Sequence, residues 1–219
     1  MSVSARIKFG RRGPVRYLGH LDMMRYFQRC VMKCSLEAVY SEGFHPHQLL
    51  SFAYPLGVSM ETDGDYADLV MKDGADAGKV KEALNSVMHE GIYVREVRIL
   101  GEGTLNAMAS VAAADYELFV SAEEGLQEAA SRILAEKELF TAGDGKKKPK
   151  DIRPGILELR AEGSRLFMKL LSGSALNVRP ADVFEGMKTY LPEESKCTLI
   201  RRLEIYGTKD GKYVPLIEM

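Results

Sequence analysis

The chain has 219 residues, 46% of them apolar and 28% charged, with a formal net charge of -1. That length suits two domains of about 100 residues each, and the composition is that of a folded globular protein and excludes a disordered one. A balanced charge names no partner, so any electrostatic message lies in how the charges are distributed. Three cysteines do not make a disulfide framework and fit a reducing compartment. No apolar run approaches the roughly 18 residues of a membrane span. The opening MSVSARIKFGRR carries no apolar signal-peptide core, so a cytoplasmic protein is expected.

Periodicity divides the first hundred residues into six elements. Val3 to Phe9 alternates as a strand. From His20 to Cys34, Leu21, Met24, Phe27, Val31 and Cys34 form one helical stripe. Strands are predicted at Gln48–Tyr54 and Tyr66–Met71, with METDGD (60–65) as the turn between them. Val80, Ala83, Leu84, Val87 and Met88 mark a second helix, and Ile92–Leu100 a closing strand. The second half repeats this order. Tyr116–Val120 is a strand, and Leu126, Ala129, Ala130, Ile133 and Leu134 a helix. Ile152–Leu159 and Leu166–Leu171 form a hairpin around 161–164. Pro180 opens a helix through Tyr190, and Thr198–Tyr206 closes the unit. The insertion KELFTAGDGKKKPKD (137–151) reads as a mobile surface loop around its Gly/Lys core.

The order β-α-β-β-α-β, written twice, predicts an α+β protein of two tandem ferredoxin-like domains, with antiparallel sheets and helices on one face. The expected boundaries are 1–101 and 115–219, with 102–114 as linker. Leu84, Val87, Leu126, Ala130, Ile133 and Leu134 are expected in the core.

Chemistry-bearing residues concentrate in the first half. Arg25, Arg29 and Lys33 stand at i, i+4 and i+8 on one helix row. Arg11 and Arg12 lie in a glycine-flanked loop leading to that helix, and Arg16 and His20 stand close to its N-terminus, where anions are favoured. Together they could form an anion-binding strip. The same row is also what the solvated face of an amphipathic helix carries.

YSEGFHPHQLLSFAYPLG (40–57) adds two histidines around a proline. Gly43 marks a sharp change of direction. Pro46 extends the backbone at His45, so that His45 and His47 project to the same side. Two imidazoles there could act as acid and base, donate to phosphate or bind metal. Alternatively, Phe44, Phe52 and Tyr54 are core and the histidines only satisfy backbone groups. A third metal ligand is missing at any recognisable spacing, and Cys34, which shares a helix face with Cys30, also fits the apolar stripe, so no metal is expected. There is no Walker loop, no G-x-G-x-x-G, no G-x-S-x-G elbow and no cysteine set for an iron–sulfur cluster. No cofactor is expected. In the second half, Arg153-Pro154 and Arg179-Pro180 are stiff, extended Arg-Pro pairs.

RYLGHLDMMRYFQR (16–29), YSEGFHPHQLLSFAYPLGVSME (40–61), KDIRPGI (150–156) and NVRPADVF (177–184) together resemble the radical SAM-linked protein family, a domain of unknown function. Its members are found fused behind, or encoded beside, a radical SAM enzyme with a cobalamin-binding-type domain. The family pattern falls on Arg16, Tyr17, His20, Asp22, Arg25, Tyr40, Ser41, Gly43 and Phe44. It continues at Pro46, His47, Ser51, Phe52, Gly57 and Glu61. Gly19 stands where a serine is usual, and the proline-rich run before Gly57 is shorter. The resemblance implies a separate radical SAM enzyme as partner and no established activity. The expected function is therefore that of a non-catalytic accessory protein binding RNA or another phosphorylated substrate through a basic cleft. Its expected residues are Arg11, Arg12, Arg16, His20, Arg25, Arg29, Tyr40, Ser41, His45 and His47, and Arg16, His20, Arg25 and His47 should share one cleft. A stand-alone enzyme using His20 and His47 as acid and base, and a purely structural docking subunit, are the alternatives.

Overall fold

A computed structural model describes residues 2–121, 123–141, 148–173 and 176–219. The class is α+β, with nine strands and five α-helices among the described residues. Two compact units are present: Met1–Val111 with Ile205–Met219, and Ala112–Glu204. Ile205–Met219, placed with the second half by sequence, thus groups with the first.

The first unit contains β1 (Ser2–Arg11), α1 (His20–Lys33), β2 (Leu50–Phe52), β3 (Glu61–Lys72), α2 (Ala77–Val87) and β4 (Ile92–Ile99). β1 lies between β3 and β4, β2 pairs with β3, and all three pairings are antiparallel. Alternation along β1 sends Ala5, Ile7 and Phe9 into the core with Phe27, Leu69 and Leu84. The ring of Phe27 meets Phe9 at 4.8 Å and Phe52 at 5.2 Å.

That aromatic cluster fixes the rotation of α1, whose buried residues are Met23, Phe27, Cys30 and Val31. The expected stripe began instead at Leu21, which is 63% exposed. Apart from Met60, METDGD is not a turn but the start of β3. Its turn-forming residues fit because the β1 ladder slips between Phe9, opposite Asp65, and Arg11, opposite Thr62. Within that irregularity Thr62 Oγ1 donates to Asp65 at 3.1 Å and accepts the Gly64 N–H at 3.1 Å. Leu84 is buried as expected, whereas Val87 is only partly so.

The segment read as a patternless linker holds a short helix, α3 (Ala107–Ser110), because Asn106 caps it by accepting the Ala109 N–H at 2.8 Å. After β8 (Cys197–Lys209), Asp210 and Gly211, with φ of 50° and 74°, turn the chain into β9 (Lys212–Pro215). A two-residue Asp-Gly loop with both φ positive is the favoured hairpin turn. It carries Leu216 and Ile217 into burial. Their carbonyls accept from Arg6 at 2.9 Å and Arg98 at 2.8 Å.

The second unit contains β5 (Ala113–Val120), α4 (Leu126–Ala135), β6 (Ile156–Glu162), β7 (Arg165–Leu171), α5 (Pro180–Met187) and the part of β8 up to Glu204. β7 pairs antiparallel with both β5 and β6, and β8 lies beside β5. Leu126, Ala130 and Ile133 are buried as expected, but Leu134 is 36% exposed. On a 100° helix step Leu134 lies off the stripe set by Leu126, Ala129, Ala130 and Ile133. β6 starts at Ile156 rather than Ile152, since Arg153–Gly155 forms a 3-10 turn with proline in its first turn. α5 likewise tightens into a 3-10 turn at Lys188–Tyr190. The Gly/Lys core of the 137–151 insertion, at 142–147, lies outside the described residues.

Candidate functional site

The arginines expected in an anion strip have several different jobs. Arg11 is buried, and its guanidinium donates to the carbonyls of Leu18, Gly57 and Met60 at 2.9, 3.1 and 3.0 Å. It staples the loop before α1 to the loop before β3. Arg12 forks onto Asp63, with Nε at 2.9 Å. Asp63 also accepts from the Tyr93 hydroxyl at 2.7 Å and faces Arg95 at 3.6 Å. The hydrogen bond to Asp63 pushes the Arg12 guanidinium pKa up from its ordinary value. Arg16 lies over the Tyr17 ring, donates to the Tyr17 hydroxyl at 3.0 Å and faces Glu61 at 3.7 Å. Arg25 stands 3.9 Å from Asp22 with both side chains largely in water. Arg29 is exposed and forms no ion pair among the described residues.

The histidine stretch is a pinned turn. Ser41 N–H donates to His47 O at 2.8 Å, and His47 N–H donates to Ser41 Oγ at 3.1 Å. Ser41 Oγ also lies 2.9 Å from His47 Nδ1. Gly43 takes φ of 109°, a backbone that a side chain resists. Phe44, at the tip, is fully exposed at 101%, so it is not core, whereas Phe52 is buried. His45 is exposed as well. The half-exposed Tyr40 accepts a hydrogen bond from Gln48 Nε2 at 3.3 Å, and the same amide donates to Gln28 O at 3.2 Å, tying the turn to α1.

His20 and His47 are not brought to one place. His20 stands edge-on to Phe52 at 5.7 Å and lines a narrow gap of about 10 Å³ with Arg11, Tyr54 and Asp65. That gap holds at most about one water. His47 lines a different cavity, and the two share no lining residue.

The His47 cavity is the roomier one, at about 350 Å³, the scale of small-ligand sites. Ser51 pairs with Asp68 and alternates with the core residues Leu50 and Phe52, which turns Ser51 to the other face of β2. Ser4, Gln48, Thr104 and Asn106 complete the polar lining, and Leu49, Val70 and Leu100 contribute apolar walls. Asp68 is 5% exposed and fully engaged. Arg6 Nε and Nη2 reach its oxygens at 2.9 and 3.0 Å, and Ala107 N–H donates to it at 2.7 Å. Arg6 is completely buried and also donates to Leu105 O at 2.8 Å. The sequence reading singled out His47 but missed Asp68, Thr104 and Asn106. Asn106 had a local signal, an N-cap residue before an alanine-rich stretch; the other two had none.

In the second unit both Arg-Pro pairs lock turns. Arg153 donates to Leu134 O at 2.6 Å and Ile156 O at 3.3 Å, and Arg179 forks onto Asp182 at 2.7 and 2.6 Å. The two segments are neighbours, for a Cβ on Gly155 would lie 2.4 Å from Val178. No group of three or more His, Cys, Asp and Glu side chains that could hold a metal ion occurs among the described residues. Burial pushes the thiol pKa values of Cys30 and Cys34 up, which makes both less reactive.

Fold and site thus define an α+β protein of two units, whose first unit carries a pinned aromatic turn and a small polar cavity. The chain belongs to the family described as an uncharacterized protein conserved in bacteria (DUF2344), whose model matches residues 5–180. No curated protein matches it. A solved crystal structure of an unknown protein from Galdieria sulphuraria is similar over 92% of this chain and 98% of its own, at 13% identity and a TM-score of 0.29. Superposition at that level carries no argument.

Proposed function

We propose that this chain is a non-catalytic accessory protein that docks a radical SAM enzyme through the surface of its first unit and helps present that enzyme's substrate. The radical SAM partner comes from the resemblance of residues 16–61 to the radical SAM-linked family. The observation that carries docking is Phe44, a ring wholly in water at the tip of a turn pinned by Ser41 and His47. A pre-ordered aromatic loses little conformational freedom on binding and gains its full apolar area once covered. Tyr17, Leu21 and Val58 are further exposed apolar side chains of this unit. We propose as well that each unit is a ferredoxin-like half. In support, strand neighbours run β4-β1-β3-β2 in one and β8-β5-β7-β6 in the other.

A second reading, recognition of RNA or another phosphorylated substrate, draws on exposed Arg25, Arg29 and Lys33. Pairing of Arg12 with Asp63 and Arg16 with Glu61 leaves less free cationic surface for it than the sequence promised. The alternative of a stand-alone acid–base enzyme is weakened by the separate cavities of His20 and His47.

Anaerobic co-purification on the tagged chain tests the docking role. A radical SAM enzyme should be retained by the wild type and lost with Phe44→Ser, which leaves the circular dichroism spectrum unchanged. Equal retention by both proteins, or no radical SAM enzyme with either, would sink docking. Salt-sensitive recovery of RNA in place of the enzyme would put the second reading first.

A further inference from the structure

We propose that the His47 cavity of the first unit binds a small amphipathic molecule through an oxyanion head group, a carboxylate or a phosphate. The basis is the set of hydrogen-bonding groups that face the cavity without a protein partner. Asn106 spends its Oδ1 on the Ala109 N–H, which leaves its amide Nδ2 hydrogens as donors. The hydroxyls of Ser4, Ser51 and Thr104 make no protein hydrogen bond among the described residues.

His47 can supply another donor. Ser41 Oγ accepts the His47 backbone N–H and lies 2.9 Å from His47 Nδ1. Where Ser41 donates its own proton to Nδ1, the ring proton is on Nε2 and His47 donates from there. Asn106 Nδ2 and the three hydroxyls can thus donate into the cavity, while Gln48, which also lines it, keeps its Oε1 buried without a hydrogen-bond partner among the described residues.

Asp68 does not oppose an anion. Two nitrogens of the buried Arg6 guanidinium and the Ala107 N–H occupy its carboxylate, so the pair presents no net charge to the cavity. For the same reason a cation finds no free carboxylate there. Leu49, Val70 and Leu100 offer an apolar wall for the rest of the molecule. The size of the space, about 350 Å³, suits a metabolite-sized ligand rather than a polymer.

Occupancy of this cavity is independent of docking through Phe44, and the two can fail separately. The test is a titration of the ¹⁵N-labelled full chain with butyl phosphate, isovalerate and the uncharged isovaleramide, followed by amide shifts. Saturable shifts should appear at Ser51, Thr104 and Asn106 with one or both oxyanions, and the tighter of the two identifies the head group. Isovaleramide should bind about tenfold more weakly or not at all. Asn106→Asp keeps a good helix cap but replaces the donor with a carboxylate. It should weaken oxyanion binding by about tenfold or more while spectral dispersion is retained. Equal binding of isovaleramide, unchanged affinity in Asn106→Asp, or no saturable shift at millimolar ligand would each overturn the proposal.

Discussion

Arg6 and Asp68 illustrate how single residues tie this chain together. The guanidinium is fully buried on the sheet face opposite α1 and α2 and bonds to Asp68, Leu105 O and Leu216 O. A buried pair of this kind adds little net stability over an apolar equivalent, but removing one partner strands the other charge. Asp68→Ala should therefore cost about 3–5 kcal/mol, read as a lower urea midpoint at unchanged slope. Arg11 likewise ties distant segments together, donating to the carbonyls of Leu18, Gly57 and Met60. Of the two, Arg11 looks like a ligand-binding candidate in sequence, and both instead hold chain segments in place.

At the scale of elements, turns decide more than helices do. Asp210-Gly211 reverses β8 into β9 and so returns the C-terminal residues to β1 and β4 through Arg6 and Arg98. In the second unit the 3-10 turn Arg153–Gly155 packs against the strand-like approach to α5. A methyl group at Gly155 would strike Val178 at 2.4 Å and Leu176 at 2.8 Å. Gly155→Ala is therefore expected to destabilise by about 1–3 kcal/mol, the cost of overpacking a closed site, measurable as a drop in Tm. The resemblance motifs KDIRPGI and NVRPADVF thus meet through the packing of Gly155 on Val178 and Leu176.

For the whole molecule, the division into units does not follow chain order. The first unit needs residues 102–111, which include the capped α3, and Ile205–Met219, which cover Arg6 and Arg98. A fragment 1–101, the first domain as sequence periodicity draws it, lacks Leu216, Ile217, Leu105 and Ala107. It should give a poorly dispersed amide spectrum where the full chain gives a dispersed one; a well-dispersed fragment would contradict this account of the unit. No helix of the described residues is long and apolar enough to cross a membrane.

Sequence alone determined the kind and order of most elements, because periods of two and of three to four residues are local properties of the chain. It placed β1, α1, α2, β4, α4 and the β6–β7 hairpin within a few residues, and it singled out the Ser41–His47 turn. Tertiary structure decided what those periods could not encode. The aromatic cluster of Phe9, Phe27 and Phe52 set the rotation of α1 and left Leu21 outside. The slip in the β1 ladder turned ETDGD into strand. Burial and carbonyl acceptors removed Arg11 from the anion strip, and separate cavities parted His20 from His47. Each of these depends on groups far apart in the chain, and a pattern of neighbours carries no record of distant partners.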